Sequence, residues 1–150
     1  MKRKVITALL AATMVASLAV GCGNKGGDSK SDSSKSSSSD EITIGFSQVG
    51  AESDWRTANS ESMKSTFSEK NGYKLIFDDA QQKQENQITA IRNFIQQDVD
   101  YIVLAPVTET GWDTVLKEAK DADIPVIIVD RMIDVSDDSL YTAWVGSNFK

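Results

Sequence analysis

Asp130 and Arg131 stand side by side directly after the apolar run Pro125-Val126-Ile127-Ile128-Val129, placing a carboxylate acceptor next to a guanidinium donor fork. A hydroxyl both donates and accepts, so one Asp and one Arg hold adjacent hydroxyls of a polyol through charge-assisted hydrogen bonds. The same pattern fits a solvated loop with a surface ion pair worth under about 1 kcal/mol. A second group is Glu52, Trp55 and Arg56, just beyond Ser53, a residue type that caps helix starts. An indole there could stack on the C–H face of a ring while Arg56 and Glu52 reach its hydroxyls. Trp55 fits equally as the first member of a core stripe with Ala58, Met63 and Phe67. Asp78-Asp79, at the end of another apolar run, resemble a magnesium or phospho-acceptor pair, but they follow the second strand-like run and read better as a solvated loop or a hydroxyl contact.

What is missing narrows the chemistry further. The chain has no His, and Cys22 is its one cysteine. The loops after the strand-like runs lack a GxGxxG turn and a GxxxxGK[ST] phosphate loop, so dinucleotide binding, nucleotide hydrolysis and His-based catalysis lose their usual sequence support. No cofactor and no metal site are expected, and binding is a stronger reading than catalysis.

The elements that must position these residues alternate. Ile42 to Phe46, Lys74 to Phe77, Tyr101 to Leu104 and Pro125 to Val129 read as strands, and Tyr141 to Val145 as a fifth. Between them, apolar residues recur at helical spacing: Trp55, Ala58, Met63 and Phe67, closed by Asn71-Gly72; Ile88, Ile91, Phe94 and Ile95; and Trp112, Val115, Leu116 and Ala119. Gln81, Gln82, Gln84, Asn86 and Gln87 read as a polar helix start, and Trp112 as core. Such alternation implies an α/β fold, an open doubly wound parallel sheet covered on both faces. Ligands of these sheets sit beyond the carboxyl ends of the strands. That directs attention to Gln48–Arg56, Asp78–Gln82, Pro106–Thr110 and Asp130–Ile133.

The front of the chain carries an address. Lys2, Arg3 and Lys4 precede an apolar run from Val5 to Val20, the layout of a secretory signal over residues 1–21. Leu18-Ala19-Val20-Gly21-Cys22 resembles a bacterial lipoprotein box, which implies a lipid on Cys22 and anchoring to the outer face of the cell membrane; each buried methylene contributes about 0.8 kcal/mol. Residues 22–40, rich in Ser, Gly, Lys and Asp, read as a flexible tether. Removing the signal leaves 13 basic against 22 acidic residues, net −9, and nothing invites nucleic acid.

With these residues in hand, residues 41–150 resemble the sugar-binding proteins of ABC transporters, of the ribose-type periplasmic binding family. The stretches IGFSQVGAESDWR, DDAQQKQENQITAIRNFI, LAPVTETGWDTVLKEAKDADIPVIIVDR and IDVSDDSLY are most similar to its galactofuranose-binding branch. The resemblance implies a monomeric extracytoplasmic protein of two α/β lobes that close on a monosaccharide and deliver it to a permease, without covalent chemistry. It also implies that Trp55 and Arg56 take the first-lobe stacking and hydrogen-bonding places, that Asp130 and Arg131 match the pair gripping ring hydroxyls, and that Glu52 assists from the same loop. The family runs to roughly twice this folded portion, so residues 41–150 are expected to be an incomplete amino-terminal lobe. Two rivals stay in view. A LacI-type regulator shares the fold but needs an amino-terminal helix-turn-helix where this chain carries its export signal. A surface-anchored carbohydrate-active enzyme needs two carboxylates about 5 to 9.5 Å apart, for which Asp78 and Asp130 are the candidates.

Overall fold

The computed structural model describes residues 41–147. The signal segment, Cys22 and the tether lie outside the described residues. Five strands, β1 (Ile42–Gln48), β2 (Tyr73–Asp79), β3 (Tyr101–Leu104), β4 (Val126–Val129) and β5 (Ala143–Val145), form one sheet in the order β2-β1-β3-β4-β5, every pair parallel. Helices α1 (Asp54–Thr66), α2 (Gln84–Gln96) and α3 (Asp113–Asp121) join the first four strands. The expected open α/β sheet is therefore present. Its strand order reverses at β1, so the loops after β1 and β3 leave the sheet beside one another, the place where such sheets form a crevice.

Two apolar layers hold the sheet. On one face α2 and α3 bury Ile91, Phe94, Trp112, Val115 and Leu116 against Ile102, Leu104, Val126 and Ile128. On the other, Met63 and Phe67 of α1 pack against a smaller cluster built on Ile44, Phe46 and Val103. Trp112 is fully buried, as its spacing implies, and its indole N–H is satisfied by the Thr108 carbonyl at 2.9 Å. Burying that polar tip without a partner would cost roughly 1–3 kcal/mol.

Two readings need correction. The stripe of Trp55, Ala58, Met63 and Phe67 is not a buried face: Trp55 and Ala58 are exposed, Met63 and Phe67 only half-buried, and the buried residues of α1 are Arg56 and Ser60. The helix therefore meets the sheet near the cleft through polar atoms. Gln87 is likewise more than part of a polar helix start. It is fully buried, its Nε2 donates to the Ala105 carbonyl at 2.7 Å, and its Oε1 accepts from the Val107 amide at 2.8 Å. One side chain thus clamps α2 to the backbone leaving β3.

Candidate functional site

The site is assembled where α1 begins. Ser53 caps the helix as expected, its Oγ accepting from the Arg56 amide at 3.3 Å. This starts the helix beside the carboxyl ends of the strands and turns the Arg56 side chain inward, where only 6% of it is exposed. A guanidinium so buried must be paired. Its Nε donates to Glu52 Oε1 at 3.1 Å and its Nη2 to Asp130 Oδ2 at 2.6 Å. Arg56 thereby ties the loop after β1 to the end of β4, two segments 74 residues apart in sequence.

Asp130 is held in an unusual backbone state. Its φ is +68°, in the left-handed region, while its amide donates to the Val145 carbonyl at 2.9 Å. A non-Gly residue there is strained by about 1–2 kcal/mol, least for Asn and Asp. The turn aims the carboxylate back under α1 instead of along the strand. Gly146 completes the corner: a β-carbon there would lie 2.6 Å from the Asp130 carbonyl oxygen.

Trp55 leans on the same arginine, with the Arg56 guanidinium carbon 4.7 Å from the indole centroid, and stays 54% exposed. The cation–π contact fixes the ring while leaving more than half of it open. Below it lies a hollow of about 400 Å³ lined by Trp55, Asn59, Met63, Val129, Asp130 and Val145. Apolar walls with a few convergent polar groups, at the carboxyl ends of the strands, are the usual makeup of a small-molecule site. Two other hollows lie apart from this cluster, one near Pro125 and Tyr141 and one against the edge strand near Phe67 and Tyr73.

Of the five residues singled out, the structure brings together Glu52, Trp55, Arg56 and Asp130. Arg131 departs from the expected adjacent pair: its Nη1 donates to the Val107 carbonyl at 3.3 Å, and the partner of the Asp130 carboxylate is Arg56. Arg131 stands at the exposed rim, on the loop after β4, and reaches across to the loop after β3.

The Asp78–Asp130 pair of the enzyme rival is taken apart by the topology. Strands β2 and β4 are separated by β1 and β3, so three spacings of about 4.8 Å put their ends roughly 14 Å apart. Asp78 also shares the α2 face with Ile76, whereas Asp130 meets α1. Burial, with the neighbouring Asp79 charge, raises the Asp78 pKa, and the nearby Ser47 hydroxyl only partly offsets this. Asp78 Oδ2 and Ser47 Oγ are buried opposite one another in the β1–β2 register, away from the hollow, without close hydrogen-bond partners.

Residues 44–150 match the family described as the periplasmic binding protein domain. The chain belongs to that family. Among its relatives, the galactofuranose-binding protein YtfQ of Escherichia coli (strain K12) is 59% identical over 107 residues, covering 71% of this chain and 33% of the relative. The fructose import binding protein FruE of Bifidobacterium longum (strain NCC 2705) is 38% identical over 137 residues, 91% of this chain and 39% of the relative. The structure of the periplasmic binding protein component of the arabinose ABC transporter from Shewanella sp. ANA-3, bound to α- and β-L-arabinofuranose, is 60% identical with a TM-score of 0.70, covering 72% of this chain and 35% of that one. The chain thus spans about a third of the length of these relatives.

Within this periplasmic binding protein domain, sequence reasoning missed the residues that support the site. Gln48 is fully buried at the end of β1 beneath Arg56, and Asn59 lines the hollow one turn along α1. A buried amide at a strand end carries no local signal, because its role depends on the helix that lands on it.

Proposed function

We propose that this chain supplies one wall of a monosaccharide site in the extracytoplasmic binding component of an ABC-type sugar importer, with furanose rings as the favoured ligand class. The observation that carries this reading is the Arg56–Asp130 pair beside a half-open indole, over a hollow at the carboxyl ends of β4 and β5. A planar fork and a carboxylate grip vicinal hydroxyls, and the indole covers the C–H face of the ring. Arg131, at the rim, meets hydroxyls that protrude from the hollow. The names of the relatives support the sugar class, with galactofuranose, fructose and arabinofuranose among them. The second wall belongs to the part of the relatives' length that this chain does not span, and closure of two walls shifts an open–closed equilibrium that a permease reads. The binding component itself performs no covalent chemistry and acts as a monomer.

The test is a titration of tryptophan fluorescence with D-galactose and L-arabinose, whose solutions include furanose rings. A two-lobed protein carrying this chain is expected to respond with a micromolar or tighter Kd. The 150-residue chain alone is expected to bind more weakly than about 1 mM, since a single wall neither excludes water nor closes. Absence of any response in the two-lobed protein up to about 10 mM of either sugar, 1 mM being already a weak complex, would sink the sugar reading.

Lipid anchoring rests on Cys22 and its preceding small residues. The expected result is that the wild-type protein sediments with bacterial membranes and that a Cys22→Ser variant does not. Equal sedimentation of the two would remove Cys22 as the anchor.

A further inference from the structure

Helix α1 presents the sheet with polar atoms where its site end lands, and Gln48 is what it lands on. The Gln48 side chain is fully buried, and both ends of its amide are engaged. Its Oε1 accepts from the Val49 amide at 3.0 Å and, more weakly, from Arg56 Nη1 at 3.5 Å. Its Nε2 donates to Asn59 Oδ1 at 2.8 Å and to Ser60 Oγ at 3.2 Å. Ser60 in turn donates to the Arg56 carbonyl at 2.9 Å.

The direction of this amide is not arbitrary. Rotating it by 180° would set an NH2 group against the Val49 N–H and against a guanidinium, both donors. The Val49 N–H therefore fixes which end faces α1, and that end fixes which atom of Asn59 turns toward it. Because the inner face of α1 near the cleft buries only Arg56 and Ser60, this network and not apolar packing sets the height and rotation of its first turns. We propose that Gln48 is a positioning residue: it seats the start of α1 on β1 and holds the Arg56 guanidinium where its fork meets Glu52 and Asp130. The positioning stands independently of the sugar reading; only its consequence for affinity rests on that reading.

The first readout needs no ligand. The Arg56 Nε–H is buried in its bond to Glu52, so its hydrogen exchange, followed by NMR in the 150-residue chain, reports how firmly the guanidinium is held. Gln48→Met keeps the volume and removes every polar contact, and is expected to raise that exchange roughly three- to tenfold, the ratio for losing an ordinary hydrogen bond. Backbone amides in the last turn of α1, near Met63, should not change. Gln48→Glu retains the acceptor for Val49 and Arg56, and Asn59 can turn its amide to donate, so exchange should return to the wild-type rate or slower. A folded Gln48→Met protein with unchanged Arg56 exchange overturns the proposal. Should that variant not fold, Asn59→Ala with Ser60→Ala removes both acceptors of the Gln48 amide from the helix side. Unchanged Arg56 exchange in that variant overturns the proposal equally.

The second readout is a double-mutant cycle on sugar affinity in the two-lobed protein. Gln48→Met is expected to weaken D-galactose binding about tenfold, but less than about twofold in an Arg56→Lys background, because residues of one network are coupled. Equal losses in both backgrounds would mean that Gln48 does not act through Arg56. If no sugar binds the wild-type protein, the sugar reading fails while the exchange measurement still decides the role of Gln48.

Discussion

Asp130→Asn is expected to weaken sugar binding by about 10- to 100-fold and also to lower the melting temperature, because the same carboxylate pairs the buried Arg56 guanidinium. Both effects follow from the demands on this residue. Its backbone sits at φ +68°, which Asn tolerates almost as readily as Asp. Its carboxylate accepts from Arg56 at 2.6 Å, a charge-assisted bond whose loss costs the fold roughly 1.5–3 kcal/mol; in the proposed site the same carboxylate also accepts from a ring hydroxyl, and losing a bond of that strength is about 10- to 150-fold in affinity. The neutral amide of Asn keeps a weaker acceptor and discards the charge. Asp130→Gly separates the terms, relieving the backbone while removing the side chain, so it should bind as poorly as Asp130→Ala but be more stable. Calorimetric titration of the two-lobed protein with D-galactose or L-arabinose, paired with thermal melts, checks the set. Wild-type affinity in Asp130→Asn would show that the carboxylate serves the fold and not a ligand.

The uneven legibility of this chain has a physical pattern. Sheet and helices were readable because buried parallel strands require continuous apolar runs, such as Val126–Val129, and because α2 and α3 bury one regular stripe each. Helix α1 defied the same reading. Its apolar residues Trp55 and Ala58 face outward, and its inward positions near the cleft are Arg56 and Ser60, which a hydrophobic pattern assigns to solvent. Candidate site residues could be named from their types at strand ends, and Glu52, Trp55, Arg56 and Asp130 do converge. Their pairing was a different matter. Adjacency in sequence proposed Asp130 with Arg131, whereas the fold pairs Asp130 with Arg56 across 74 residues. Neighbours along a chain leaving a strand diverge when one of them turns left-handed, and that turn is set by the bond from the Asp130 amide to β5. Gln48 and Gln87 were hidden for a related reason. A buried amide is recognised by the backbone groups it satisfies, and those lie in the segments that leave β1 and β3.

Gly45→Val is expected to lower the melting temperature by about 12 °C or more, the largest stability loss of any single substitution considered. Gly45 lies mid-way along β1, flanked in register by Ile76 of β2 and Ile102 of β3. A β-carbon built there would come within 2.5 to 2.8 Å of three ring atoms of Phe94, distances real side chains do not reach. Phe94 is 2% exposed, packed between α2 and the sheet, so its ring has no vacant rotamer to move into. The strand is hydrogen-bonded on both sides and cannot retreat either. Overpacking of this kind costs 1–3 kcal/mol and occasionally more, and about 3 kcal/mol corresponds to the stated shift in a domain of this size. Gly45→Ala should show the same clash in milder form, without the two γ-methyl groups of Val. The mechanism is tested by pairing: Phe94→Leu removes the flat ring that meets the new carbon, so Gly45→Ala should cost clearly less in a Phe94→Leu background than alone. A melting temperature for Gly45→Ala within about 1 °C of wild type, well under the 4–8 °C per kcal/mol expected for such a domain, would mean that α2 can shift off the sheet. The close approach of Phe94 to β1 would then not be what sets the spacing of that layer.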